Sequence, residues 1–259
     1  MEFPSFGHGN AKLPSSTLTF SLPAGFSCPG ANLCLSRAIH PEDGPIHIQD
    51  GPNTIFRCSA ATDELRPSVS NARWRNYRLV DAAIRDGSIS ALLQGGVALN
   101  ARSFTTHLRW FVSGDCYSPS LRDAILECAS ATPGLIHYAY TKNLPLWLKG
   151  DELLPLPTNF RLTASWGGRF DFLLEQGLFP RTARVVNTME EAASAGLPVD
   201  FDDRHAWAAE PMHFCHLVHG TQPRGSASGA AIRARAKAGQ FTGYSTKTRN
   251  HDLTATLLP

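Results

Sequence analysis

Nowhere does the sequence hold an apolar run of the roughly 18 residues that a membrane span requires. Its first residues, MEFPSFGHGNAKLP, show no basic stretch leading into an apolar core. The first absence argues against a membrane protein and the second against a secretory signal. The expected compartment is therefore the cytoplasm, where disulfides are not maintained. Charge is sparse at 18% and nearly balanced, with a formal +2, and a balance that small identifies no partner. Acidic residues are missing altogether from residues 211–251, where Arg224, Arg233, Arg235, Lys237, Lys247 and Arg249 stand unopposed. Such a stretch is a solvated tail or a surface for a phosphate backbone.

Regular structure is scarce near the start. Eight prolines fall within the first 70 residues, and each removes a backbone donor and breaks helix or sheet. Residues 1–69 thus read as a loop-rich segment packed on the main domain, in need of a fixing agent such as a bound metal. Six cysteines in a reducing compartment leave metal ligation or core packing as their uses. Cys128 shares an apolar helical face with Leu121 and Ile125 and reads as core. Cys116 follows Asp115 at a strand end, where it can face the site, but with no second cysteine near it in sequence it ranks low as a ligand. Cys28, Cys34 and Cys58 differ. Pro29, Gly30, Ala31 and Ser59 beside them let a backbone approach a cofactor closely, and thiolates in such loops suit an iron–sulfur cluster or zinc. Five residues separate Cys28 from Cys34 and Cys58 stands alone, unlike zinc knuckles with two to four between cysteines. That ranks a cluster of the 4Fe-4S type ahead of zinc, with no metal as the third reading. Cys215 is the expected fourth ligand, although one of its neighbours His213, His216 and His219 can take that place. Taken singly, those histidines read as packing or surface residues.

From residue 70 the pattern turns regular. Ser70 is a candidate cap for a helix running to about Leu93, with Trp74, Tyr77, Val80, Ile84 and Leu92 on its apolar stripe and Arg73, Arg75, Arg78 and Arg85 off it. A change of pattern is expected at Gly95 and Gly96. Strands are predicted over 108–115, 135–141, 160–165 and 183–188. Between them come a helix capped by Ser118 with Pro119 at its first position, a short helix within 145–154, a helix over RFDFLLEQG, and a helix over MEEAASAG ended by Gly196. Strands and helices alternating at about 25-residue intervals imply an α/β fold with a parallel sheet of repeated βα units. A whole or partial barrel is the expected closure and an open doubly wound sheet its rival. The α/β domain is expected over 70–222 and a basic tail over 223–259. Ligands of parallel sheets lie beyond the carboxyl ends of the strands. Those ends are polar here: Ser113, Gly114 and Asp115; Thr141, Lys142 and Asn143; Ser165 and Trp166; and Asn187. Asp115 is placed to accept from an ammonium group, Lys142 to hold an anion and Ser165 to donate a hydrogen bond.

The stretches TFSLPAGFSCPGANLC, FRCSAATDELRPSV, ARWRNY, FVSGD, YAYTK, RLTAS and HGTQP occur in this order. In that order they resemble the actinobacteriophage family known as gene product 88. The resemblance runs to about residue 222 and implies a phage, plasmid or prophage origin, hence the cytoplasm of a bacterial host. The layout is more distantly similar to that of radical S-adenosylmethionine enzymes: cysteine loops, a helix, then a strand ending in Ser113-Gly114-Asp115. That likeness implies S-adenosylmethionine as a ligand. The cysteine spacing departs from the usual pattern, and a fourth thiolate from Cys215 would close the iron that this chemistry needs open. Two functions follow. The first is an iron–sulfur protein acting as an atypical radical or redox enzyme on a small molecule. The second is a nucleic-acid-binding protein with a structural iron–sulfur or zinc site, gripping phosphate through ARWRNYR and the basic tail.

Overall fold

A computed structural model describes residues 2–244. The N-terminal segment contributes strands β1 (Gly7–His8) and β2 (Thr17–Ser21) and a hairpin of β3 (Ser36–Ile39) with β4 (His47–Asp50). Helices α1 (Ser59–Asp63), α2 (Pro67–Asp86) and α3 (Ile89–Asn100) lead to β5 (His107–Ser113), α4 (Pro119–Ala131) and β6 (Ile136–Thr141). A 3-10 turn (Leu144–Trp147) and the hairpin of β7 (Leu148–Lys149) and β8 (Glu152–Leu153) precede β9 (Phe160–Ser165). Next come α5 (Phe172–Glu175), β10 (Thr182–Val186), α6 (Met189–Ser194), α7 (Arg204–Trp207), β11 (His213–Leu217) and α8 (Ala227–Lys237).

Seven strands form one sheet in the order β1-β2-β5-β6-β9-β10-β11. The β1–β2 pair is antiparallel and the other five pairs are parallel. The parallel strands follow one another in chain order, so the chain always steps the same way across the sheet. Right-handed crossovers then place their helices on one face. The packing agrees. Leu18, Phe20, Leu108, Trp110, Ala139, Phe160, Leu162 and Ala164 face Val80, Leu92, Leu93, Leu121, Ile125 and Cys128 of α2, α3 and α4 in one buried cluster. Each such leucine or isoleucine contributes about 1.5–3 kcal/mol by leaving water.

The expected mixed α/β, mostly parallel sheet is present. A whole barrel is not: β1 and β11 stand at the two edges. Strand β1 occupies the free side of β2, which leaves β2 no edge with which to meet β11, and six parallel strands fall short of the eight of a closed barrel. The strand order also lacks the reversal that a doubly wound sheet requires.

Local differences have local causes. Helix α2 begins at Pro67, a residue suited to the first turn, and ends at Gly87 with φ 77°. The expected single helix is thus two, with the break at Gly87 and Ser88. Gly95 and Gly96 lie inside α3, where Phe3, Phe6 and Pro4 of the N-terminal segment press against them. The cap of α4 is as expected, with Ser118 Oγ accepting from Leu121 N at 3.2 Å. Strand β2 was hidden among prolines, yet it lies inside the sheet, with Leu18 and Phe20 fully buried. No helix among the described residues is long and apolar enough to cross a membrane.

Candidate functional site

The cysteine-bearing loops close over the carboxyl end of the sheet. After β2 the chain turns at Gly25, with φ 72°, and Gly25 N donates to Cys28 Sγ at 3.3 Å. Gly30 lies flat on the backbone of Lys142 and Asn143, where a Cβ would overlap the Lys142 carbonyl. Leu33 N donates to Gly167 O at 2.9 Å and Arg169 N to Gly30 O at 2.9 Å. The Cys28–Cys34 loop is therefore seated on the end of β6 and on the turn after β9. Cys58 stands immediately before α1. Its segment is tied to the same loop by Ile55 N donating to Leu33 O at 2.9 Å. It is tied beyond β11 by Gln222, which accepts from Arg57 N at 2.7 Å and donates to Arg57 O at 3.1 Å.

Cys28, Cys34 and Cys58 are thereby gathered from two stretches of chain as partly exposed free thiols. Burial pushes the Cys28 thiol well up, and Asp115, Cys58 and Cys34 push it further. Burial takes Cys34 up to about 11, opposed by Lys142 and reinforced by Cys58 and Asp115. Thiols in such surroundings keep their protons at neutral pH unless a bound cation replaces them. Among the described residues no three His, Cys, Asp or Glu side chains close on one point as the ligands of a single metal ion do.

The sequence-predicted site residues divide. Asp115 lies among the strand ends, but its oxygens are committed to backbone. Oδ1 accepts from Cys116 N at 2.7 Å, and Oδ2 from Lys142 N at 2.8 Å and Asn143 N at 3.3 Å. It clamps the end of β5 to the end of β6, and burial raises it to about 6 against the pull of those donors. Lys142 Nζ donates to Trp166 O. Ser165, half-buried at the end of β9, pairs in register with Ala183. Cys215 is not brought to the other three. It sits fully buried in β11 with Val186, Ala192 and Leu217. Strand alternation turns its neighbours Phe214 and His216 to the opposite face. His216 Nδ1 meets Asp200 O at 3.1 Å, His219 Nδ1 meets Leu217 O at 3.1 Å and His213 Nδ1 meets Thr182 Oγ1 at 2.8 Å. Cys128 belongs to the core, as expected, and Cys116 lies in the same core.

Sequence reasoning missed the polar face of the sheet. Asp203 is fully buried with φ 66°. It is paired to Lys12, and to Arg109 at 2.5 Å, and accepts from Tyr138 at 3.3 Å and Tyr140 at 3.2 Å. Burial opposes its charge, yet Arg109 and Lys12 hold the carboxyl below the usual range. Asp200 accepts from the backbone of Asp202, Asp203 and His205 at 2.9, 2.7 and 3.0 Å. Burial drives His216 down to about 3, so it is neutral. The available signal was polar alternation: Arg109, Tyr138, Tyr140, Arg161 and Thr163 share a face in register, whereas buried parallel strands are usually apolar on both faces.

The basic stretches are used in part inside the protein. Arg73 pairs with the fully buried Glu64 at 2.9 Å, and Arg75 holds Glu2, Ser5 and Phe3. Arg235 is buried on Val218 O. Arg78, Arg224, Arg233 and Lys237 remain exposed, and Lys247 and Arg249 lie outside the described residues. A family model described as Gene product 88 matches residues 4–239. No curated protein and no solved structure matches the chain.

Proposed function

We propose, from the premise that the chain belongs to the gene product 88 family, that it is an iron–sulfur protein of redox or radical type whose cluster is held by Cys28, Cys34 and Cys58. The observation that carries this reading is that those three thiols lie in loops seated over the ends of a parallel sheet, near enough for Cys58 and Cys34 to act on Cys28, with Cys215 buried elsewhere. Three protein thiolates leave one iron of a 4Fe-4S cluster without a cysteine. When bound, the cluster supplies one-electron chemistry, and the remaining iron is where an external ligand such as S-adenosylmethionine would attach.

The chain order supports the same reading. The first parallel strand, β2, runs directly into the cysteine loops, α1 to α3 follow, and β5 then ends at Ser113-Gly114-Asp115. The chain's own groups have supporting tasks. Asp115 fixes the rim by tying β5 to β6, and Gly30 lets the loop lie on β6. Lys142 brings a positive charge to Cys34, which favours its thiolate.

Anaerobic reconstitution with iron and sulfide tests the assignment by absorbance near the visible thiolate-to-iron bands. The parent and Cys215→Ser are expected to colour, and Cys28→Ser, Cys34→Ser and Cys58→Ser to stay colourless. Equal colour in all five proteins would overturn it. Incubation with S-adenosylmethionine and a reductant tests the radical branch, with 5′-deoxyadenosine formed by the parent and absent from Cys58→Ser.

A further inference from the structure

A cavity of about 210 Å³ opens beside the thiol loops, lined by Leu33, Phe56, Trp166, Asp171 and Arg184 among others. It lies toward the carboxyl ends of the parallel strands: Trp166 directly follows β9, and Arg184, midway along β10, is joined by Val185. Leu33 directly precedes Cys34, and Phe56 stands two residues before Cys58, so the cavity shares a wall with the cysteines.

Arg184 is the unusual member. Its guanidinium stacks on the Trp166 ring, 4.9 Å from the centroid. Its Nε is buried with no acceptor, and no carboxylate pairs with it among the described residues. Asp171, the carboxylate lining the same cavity, has its oxygens on Gly167 N and Gly168 N at 2.8 Å each. A buried N–H with no acceptor is costly, and the planar fork of the guanidinium's donors matches a carboxylate bidentately. The rest of the wall is aromatic or aliphatic. The volume lies below the roughly 300–1,000 Å³ of sites for drug-sized ligands, which selects a compact ligand.

We infer that this cavity binds a compact planar carboxylate, its head group on Arg184 and its ring or planar body against Trp166 and Phe56. The inference names a substrate class for the iron–sulfur reading and rests on it for the chemistry done there. Binding itself needs only the cavity.

The test uses the full chain, with and without reconstituted iron and sulfide, and benzoate as the probe in isothermal titration. Benzoate is expected to bind about tenfold or more tightly than neutral benzamide, the worth of a charged hydrogen bond. Arg184→Gln should lose that preference and Arg184→Lys should recover part of it, with far-ultraviolet circular dichroism unchanged in both. Equal binding of benzoate and benzamide by the parent overturns the proposal without recourse to any variant. So does undiminished benzoate binding by Arg184→Gln. Tighter binding of phenyl phosphate than of benzoate overturns the carboxylate assignment. Benzoate binding by a protein that never takes up iron leaves this site standing and removes the cluster, whereas iron uptake without benzoate binding does the reverse.

Discussion

Substituting Asp203 by Asn tests how the face of the sheet that carries α7 is held. The carboxylate is fully buried between Arg109 and Lys12, whose side chains are 15% and 12% exposed. Tyr138 and Tyr140 donate to it as well. Removing its charge leaves two poorly hydrated cations without their counterion. Loss of one partner from a buried ion pair costs about 3–5 kcal/mol, and the neutral amide keeps only part of the hydrogen bonding. For a chain of this size that converts to a fall of about 6–20 °C in Tm, read by differential scanning calorimetry at pH 7. The pH profile gives an independent check. The folded carboxyl lies below its usual range, so its stabilisation is complete above the unfolded value of about 3.9 and disappears as pH falls through the lower folded value. Asp203→Asn should therefore lose less stability than the parent below about pH 4. Replacing the pair together, as Arg109→Met with Asp203→Leu, should recover part of the loss, because apolar groups leave no stranded charge. A variant melting within about 2 °C of the parent at pH 7, a loss of no more than about 1 kcal/mol, would show that the carboxylate does not hold this face.

Further outcomes follow from the strand ends and the core. Gly30→Ala should drive the cysteine loop off the Lys142 backbone, seen as faster reaction of the thiols with a disulfide reagent. Asp115, raised to about 6, contributes stability that is complete below the unfolded value of about 3.9 and is lost as pH rises through the folded value. Its carboxyl carbon should accordingly titrate near pH 6 by nuclear magnetic resonance. His137, driven to about 4 by burial and held by Trp110 and Thr132, should show no ring titration between pH 5 and 8.

Much of the fold was legible because the strand signals after residue 100 are local. FRLTAS is β9 residue for residue, and Ser118-Pro119 opens α4. What escaped depended on distant partners. Strand β2 carries only five residues in a proline-rich segment, and its place in the sheet is set by pairing with β5 about 90 residues later. The turn within α2–α3 rests on one glycine, while the Gly95-Gly96 pair is tolerated inside α3 because the N-terminal segment packs against it. Cysteine spacing alone could not tell which thiols meet. The loops bearing Cys28, Cys34 and Cys58 are joined by backbone hydrogen bonds, and Cys215 is buried in β11 among Val186, Ala192 and Leu217 instead. Likewise Arg73 looked like a surface cation in ARWRNYR, and only the fold reveals Glu64 beneath it.

Iron and acid-labile sulfide measured per chain after anaerobic reconstitution address the central claim most directly, with each of Cys28, Cys34, Cys58 and Cys215 replaced in turn by Ser. The account predicts about four irons and four sulfides in the parent and in Cys215→Ser, and loss of both in the other three variants. Iron-free parent protein, or a Cys215→Ser variant that loses iron as completely as Cys28→Ser, would contradict it.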